Sequence, residues 1–381
     1  MGGEAIKAYQ YFAYLLSENY DAYLCVHQRC EEEIRGHFPS ERLIIVDEDK
    51  LDIALWRSRF GKLLLTQYFF LRAKKTILAK NFHNAIWHFV SPISPVEPRP
   101  FPRGIPVVIG PLNGNITYPS GFQNRLSARS KIVQRMHRPA QLLCRAVFGD
   151  KRRAHLILNS GFLRTRQSLS WAGVRVGNTL DVVDSGLPEY ISKAKPIAHH
   201  GRNGRFVSLG RLVDFKGHDL AVRALAKCPD DTTLTIYGEG HERSSLVALA
   251  KDLGLEDRVI FAGWLDHNEI VQTMAQYRGF VFPSLADANG IVMQEMMMLG
   301  LPVIALNWGG PSQLATAESA YYVDPINADQ VVDQIAAAMT ELSEDGDLAT
   351  KIAKNARQIA AEKFVWSKVG KAWADKYSEL L

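Results

Sequence analysis

Two successive α/β units, each a parallel sheet flanked by helices, are the architecture this sequence predicts. Short apolar, β-prone runs alternate with helix-length segments along nearly the whole chain, the pattern of right-handed βαβ crossovers. The alternation loosens between about Tyr190 and Asn203, where Ala, Lys, Pro, His and Gly replace the apolar runs. The length, 381 residues, suits two ordinary domains. The expected division is therefore 1–190, a linker at 191–204, a second unit at 205–363 and a closing helix at 364–381.

The first unit opens with an amphipathic helix over Ala5–Glu18, with Tyr9, Phe12, Leu15 and Leu16 on one face. Strands are expected at Ala22–His27, Leu43–Val46, Ile86–Val90, Val107–Ile109, Leu156–Leu158 and Leu180–Val183. Helical stretches lie at about 56–80, at Phe122–Arg153 and at Phe162–Trp171. A proline-rich loop covers 91–106, and a second loop follows at Gly110-Pro111-Leu112-Asn113-Gly114. In the second unit the strands are Phe206–Leu209, Leu234–Tyr237, Val259–Ala262, Phe280–Phe282, Val303–Leu306 and Tyr321–Val323. Residues from Gln330 onward read as three helices.

Composition is that of a soluble globular chain, with 47% hydrophobic and 22% charged residues. Cys25, Cys30, Cys144 and Cys228 form no CxxC pair and no cluster with histidine, which suggests reduced thiols in a cytoplasmic protein. No stretch reads as a signal peptide or is apolar for long enough to span a bilayer. Asp47-Glu48-Asp49 reads as a solvated turn, and no metal site is assigned.

The chemistry concentrates after the strands of the second unit, at the edge where open α/β sheets bind ligands. Phe206–Leu209 runs into Gly210-Arg211-Leu212-Val213-Asp214-Phe215-Lys216-Gly217, a loop with two cations beside a helix start. An arginine fork and a lysine point charge together suit a diphosphate. Gly238-Glu239-Gly240 and Gly263-Trp264-Leu265 follow the next two strands. Phe280–Phe282 leads through Asp287-Ala288-Asn289-Gly290 into a helix at Ile291–Leu299 that is apolar nearly all round and ends at Gly300. Within it stands Glu295, a carboxylate that needs a polar partner there. The free amides at this helix start, around Asn289, Gly290 and Ile291, form an anion site.

The order GR-x4-KG, YGEG, F-x-GW, D-x7-E and GLPVIA-x4-GGP resembles the large retaining GT-B glycosyltransferase family, group 1, most densely over Arg205–Pro325. The resemblance continues in Phe364-Val365-Trp366 through Tyr377. It is looser in the first unit, at Gly2-Gly3, Ser160 and Asp184-Ser185-Gly186-Leu187-Pro188. It implies two Rossmann-like domains facing across a cleft, with the closing helix crossing back to the first. It further implies that Arg211 and Lys216 bind the donor diphosphate and act in catalysis with Asp287, which touches the donor sugar. Glu295 would hold the ribose, and Gly3, Gly210, Gly238, Leu265, Asn289, Gly290 and Ile291 would line the donor site. The implied reaction moves a sugar, with retention, from a UDP- or GDP-sugar to a sugar or lipid-linked acceptor, with no separate cofactor. Alternatives are a truncated or degenerate relative that binds a nucleotide sugar without transfer, and a related nucleotide-sugar epimerase or sugar-phosphate synthase.

This chain departs from the family pattern twice. Asp287 stands where the family has glutamate, followed by Ala288-Asn289-Gly290 instead of a serine-or-proline, aromatic, glycine sequence. A strand expected before Gly2-Gly3 is missing, so either the true start lies upstream or the first sheet lacks a strand. On the acceptor side, His88 is the candidate to face the cleft, with a structural hydrogen bond as the plain alternative. Asn113 and Gly114 are candidates to line the acceptor pocket. Residues 121–166 carry Arg125, Arg135, Arg138, Arg145 and further cations against one acid, Asp150, with apolar residues at helical spacing. That pattern fits either a solvated face or an anionic membrane surface at the cytoplasmic leaflet. No nucleic-acid module accompanies it.

Overall fold

A computed structural model describes residues 3–58, 61–82, 84–113, 116–160 and 162–381. The chain divides into two compact units. One comprises Met1–Asn115, Arg135–Gly186 and Trp366–Leu381; the other comprises Ile116–Gln134 and Leu187–Val365.

The second unit is built on β7 (Arg205–Leu209), β8 (Thr233–Tyr237), β9 (Val259–Gly263), β10 (Gly279–Phe282), β11 (Val303–Leu306) and β12 (Tyr321–Val323). All pair in parallel, in the order β12-β11-β10-β7-β8-β9. The central strands are largely apolar because helices cover both faces, while the edge strand β9 leaves Ile260 exposed. Phe206, Val207, Leu234, Ile236, Phe280, Val281, Val303 and Ile304 are all fully buried. The winding reverses between β7 and β10, the place where a doubly wound sheet opens a crevice for ligand.

The presumed linker is part of this unit. Ile197 donates its amide to Leu299 O at 2.9 Å, and His199 bonds Gly300 O at 2.7 Å. Residues 116–134 also belong here, although the sequence places them within the first domain. Tyr118, Phe122 and Leu126 are buried in the same core cluster as β7 and β8. Arg125 forks onto both carboxylate oxygens of Asp219, and Trp308 Nε1 donates to Thr117 O at 2.8 Å.

In the first unit, β1 (Leu24–His27) pairs with β2 (Leu43–Val46). A separate parallel sheet holds β3 (Trp87–Phe89), β4 (Val107–Asn113), β5 (Leu156–Ser160) and β6 (Thr179–Asp181), in that order. Among the described residues no strand joins the two sheets. β4 runs through Gly110-Pro111-Leu112, a stretch expected to be loop. Proline cannot donate to a ladder, and the β4–β5 register shifts between Ile109 and Leu112, so the strand absorbs Pro111 as an irregularity while Leu112 stays buried. The helical stretch expected at 56–80 is two helices, Lys50–Arg57 and Lys62–Ala79. Asp49 caps the former by accepting from Leu51 and Asp52, which accounts for the end of the acidic triplet. The closing helix Trp366–Ala374 packs in this unit, with Trp373 fully buried and its Nε1 donating to Val183 O at 3.2 Å.

Candidate functional site

Five loops leave the carboxyl edge of the second sheet, and backbone hydrogen bonds lace neighbour to neighbour. Gly210 N donates to Tyr237 O at 3.0 Å and Leu212 N to Glu239 O at 2.9 Å, tying the β7 loop to the β8 loop. Gly238 N donates to Gly263 O at 2.7 Å, Leu285 N to Phe215 O at 2.7 Å and Gly310 N to Asp287 O at 2.9 Å. Such lacing demands backbone-to-backbone approach. At Gly238, φ is +140° and a Cβ would stand 1.9 Å from Gly210 O, so only glycine fits.

At the switch point the β7 and β10 loops meet through charge. Lys216 Nζ lies 2.8 Å from Asp287 Oδ2 and 3.1 Å from Oδ1. The ammonium also sits 5.2 Å from the Phe282 ring centroid and 5.6 Å from that of Phe215. Arg211, exposed, sets its guanidinium 5.9 Å from the same Phe215 ring centroid. Two cations thus share one aromatic wall. Beneath the loop, His218 is buried, with Nδ1 3.1 Å from Ser208 Oγ. Burial and the nearby Lys216 push its pKa down to about 4, so it stays neutral and adds no charge there.

The helix Ile291–Leu299 starts and ends as expected, capped by Gly290 and Gly300, both left-handed. No side chain caps its N-terminus. Asn289 accepts from Gln294 Nε2 at 2.9 Å, which keeps its side chain turned back along the helix. Glu295 is 3% exposed, and its Oε1 lies 3.3 Å from His267 Nε2. His267, in the loop after β9, was not singled out from the sequence; its carboxylate partner raises its pKa. Leu265 is half-buried in the same loop.

The remaining candidates lie in the first unit. His88 uses both ring nitrogens: Nδ1 is 2.6 Å from Tyr377 Oη and Nε2 2.7 Å from Gly110 O. Tyr11, Trp373 and Tyr377 enclose the ring, and this burial pushes its pKa down to about 4. Carbonyl acceptance fixes the proton on Nε2, so Tyr377 donates to Nδ1 and in turn accepts from Tyr11 at 2.7 Å. No ring nitrogen is left for an acceptor hydroxyl, and the plain reading of His88, a structural hydrogen bond, is what the geometry supports. Gly3 begins the helix Gly3–Ser17 instead of lying in a loop. Gly2 and Gly114 fall outside the described residues. Asn113 closes β4.

Among the described residues, Asp214, His241 and Glu242 bring possible ligand atoms within 4.8 Å of one another. Asp214 and His241 are exposed and bonded to each other at 2.7 Å, an ordinary surface pair. No helix is long and apolar enough to cross a membrane.

This arrangement has known counterparts. Residues 192–359 match the family of glycosyl transferases group 1. The second unit belongs to that family. Over 176 residues the chain is 31% identical to the lipopolysaccharide core biosynthesis glycosyltransferase LpsE of Rhizobium meliloti, covering 46% of this chain and 48% of LpsE. It is 31% identical over 186 residues to the GDP-mannose-dependent alpha-(1-6)-phosphatidylinositol monomannoside mannosyltransferase of Mycobacterium tuberculosis, covering 46% and 47%. The chain thus spans about half the length of the curated relatives it matches. Across its whole length it has the fold of Anabaena HepE, solved with UDP and glucose, at a TM-score of 0.66 and 19% identity, covering 96% of HepE. That fold is GT-B.

Proposed function

We propose that this chain is a retaining glycosyltransferase that moves a sugar from a UDP- or GDP-sugar to a sugar or lipid-linked acceptor in polysaccharide or glycolipid assembly. The observation that carries it is the meeting of Lys216 with Asp287 at the switch point, with Glu295 about one turn inside the helix that follows Asp287. In this reading the diphosphate displaces Asp287 from Lys216 and lies against Arg211 and the amides at Asn289, Gly290 and Ile291. Glu295 takes the ribose, and the released Asp287 turns to the hydroxyls of the donor sugar. As the glycosidic bond breaks, negative charge grows on the departing phosphate. The two cations and the helix start stabilise that charge without calling on a metal ion. The acceptor hydroxyl attacks from the leaving-group face, so no enzyme nucleophile is needed. The relatives that act on lipopolysaccharide core and on GDP-mannose, and the UDP held by HepE, support a donor and acceptor of this kind.

The helix Ala128–Val147 supports an anionic membrane as the workplace. Its inward side is Gln141 and Cys144, both buried, while Ile132, Val133, Met136, Leu143 and Val147 are 49–65% exposed. Lys131 and Arg135 border that apolar stripe on the same helix, while Arg138 turns away and sets its guanidinium 5.4 Å from the Trp171 ring centroid. An outward apolar stripe beside cations suits the headgroup boundary of the cytoplasmic leaflet.

Thermal-shift titration with UDP, GDP and ADP, followed by donor turnover, tests the central claim. Stabilisation by UDP or GDP is expected, and Lys216→Ala should remove most of it. Nucleotide binding with no diphosphate released from any common donor would leave the non-transferring reading instead. Flotation with phosphatidylglycerol vesicles tests the membrane claim, which fails if Met136→Glu/Leu143→Glu floats as the wild type does.

A further inference from the structure

Glu295 is nearly enclosed in an apolar helix, and among the described residues His267 is its side-chain partner, through Oε1 alone. A carboxylate so placed needs both a stabilising donor and a fixed rotamer to present its second oxygen. His267 supplies the donor from a different loop, at the head of the short turn His267–Glu269. It is itself held on the other side, where Tyr190 Oη hydrogen-bonds Nδ1 and the two rings meet edge to face at 88°. Tyr190 comes from a third element, the turn Glu189–Ser192. Burial pushes the Tyr190 pKa up to about 12, so its hydroxyl keeps the proton and donates. Nδ1 then accepts, and Nε2 carries the hydrogen toward Glu295. Asp266 faces the same histidine but is used in capping the turn, where it accepts from Asn268 N at 2.9 Å.

We propose that Tyr190 and His267 are positioning residues for the donor ribose: they lock one oxygen of Glu295 so that the other is presented to the ribose hydroxyls. This rests on the reading of Glu295 as the ribose ligand. With the imidazole neutral the relay runs from Tyr190 to His267 to Glu295; on protonation Nδ1 becomes a donor and Tyr190 accepts from it, while Nε2 still donates to Glu295. Its consequence is selectivity for a ribose over a nucleotide that lacks the ring hydroxyls. The phosphate contacts at Lys216 and Arg211 are unaffected.

The test is calorimetric binding to the full chain of UDP and GDP and of their 2′,3′-dideoxy counterparts, for wild type, His267→Ala, His267→Gln, Tyr190→Phe and Glu295→Gln. Wild type is expected to prefer the ribonucleotide by about 10-fold or more. His267→Ala should reduce that preference to within about 2–3-fold, with dideoxynucleotide affinity unchanged. His267→Gln, whose amide still donates to Glu295, should recover part of it, and Tyr190→Phe should fall between. A purely structural role for His267 would weaken both nucleotides alike, so an unchanged preference ratio in His267→Ala overturns the proposal while leaving Glu295 in place. A wild type without ribose preference, a Glu295→Gln variant that keeps it, or no binding of either nucleotide removes the ribose assignment and this proposal together.

Discussion

Lys216 has one ammonium group and two anions competing for it, the Asp287 carboxylate seen here and the diphosphate inferred from the surrounding loop. Side-chain exposures of 13% and 18% put this pair between a surface and a buried ion pair. Its net worth is therefore modest, ~0.5–1 kcal/mol. Asp287→Asn should then tighten UDP or GDP binding by about 2–5-fold, because the phosphate no longer competes with a carboxylate. The same change should slow sugar transfer by about 10-fold or more, since the contact to the donor sugar is weakened. Weaker nucleotide binding by Asp287→Asn, measured by calorimetry, contradicts this picture. The sequence already separated Asp287 from Glu295 by place, one before the apolar helix and the other inside it, while the roles proposed for them rest on the family resemblance. It did not show their partners. Lys216 and His267 reach these acids from other loops, and only the strand order brings those loops together.

Helix periodicity reveals which residues share a face but not what that face meets. The stretch 122–153 shows the limit. It reads as one basic helical region, yet it comprises the turn Ser120–Arg125, the helix Ala128–Val147 and the turn Asp150–Arg153. Its apolar residues serve opposite ends: Phe122 and Leu126 go into the core of the second unit, while Ile132 and Leu143 are exposed. Even the lone acid has a structural task, since Asp150 is buried against Lys151 at 3.0 Å and accepts from Arg99 N at 3.0 Å. Phe122 is 1% exposed, so Phe122→Ala should cost ~3–5 kcal/mol through the cavity it leaves. For a unit of this size that is a fall of roughly 6–20 °C in melting temperature. A change under about 2 °C by calorimetry would mean that residues 116–134 add nothing to the second core.

Each unit contains a histidine whose neutral form the fold requires, His88 in the first and His218 in the second, and the two should set the acid limit of the whole molecule. The pKa falls from 6.5 to about 4 at each on folding. The unfolded chain therefore takes up these protons first, and stability declines as pH falls from about 6.5 to about 4. Below that window both states are protonated and the loss is complete. Each site contributes on the order of 1–3 kcal/mol over the window. His267 runs the other way: its raised pKa gives a contribution present at low pH and lost as pH rises through the folded value. Melting temperature followed from pH 7.5 to 4, in buffers of equal ionic strength, should fall less steeply in His218→Gln than in wild type; parallel curves refute the assignment.

The second sheet was legible nearly strand for strand, since its strands are mostly apolar and β7, β8 and β10 run straight into Gly210, Gly238 and Pro283. The first sheet was less so. β3 and β6 are only three residues long, and β4 hides its last residues behind Pro111. The path of the chain was legible only in part: the change of unit near residue 190 was expected, as was, from the family resemblance, the return of the closing helix, but the excursion of 116–134 into the second unit was not. It passes between the units four times, at 115–116, 134–135, 186–187 and 365–366. Cutting at the last two points would look like a clean way to graft the second unit onto a relative. The transplanted half would arrive without Tyr118, Phe122 and Leu126, its apolar core open where they pack, and without the Arg125 grip on Asp219. A graft that keeps the second core closed must therefore carry residues 116–134 along with 187–365.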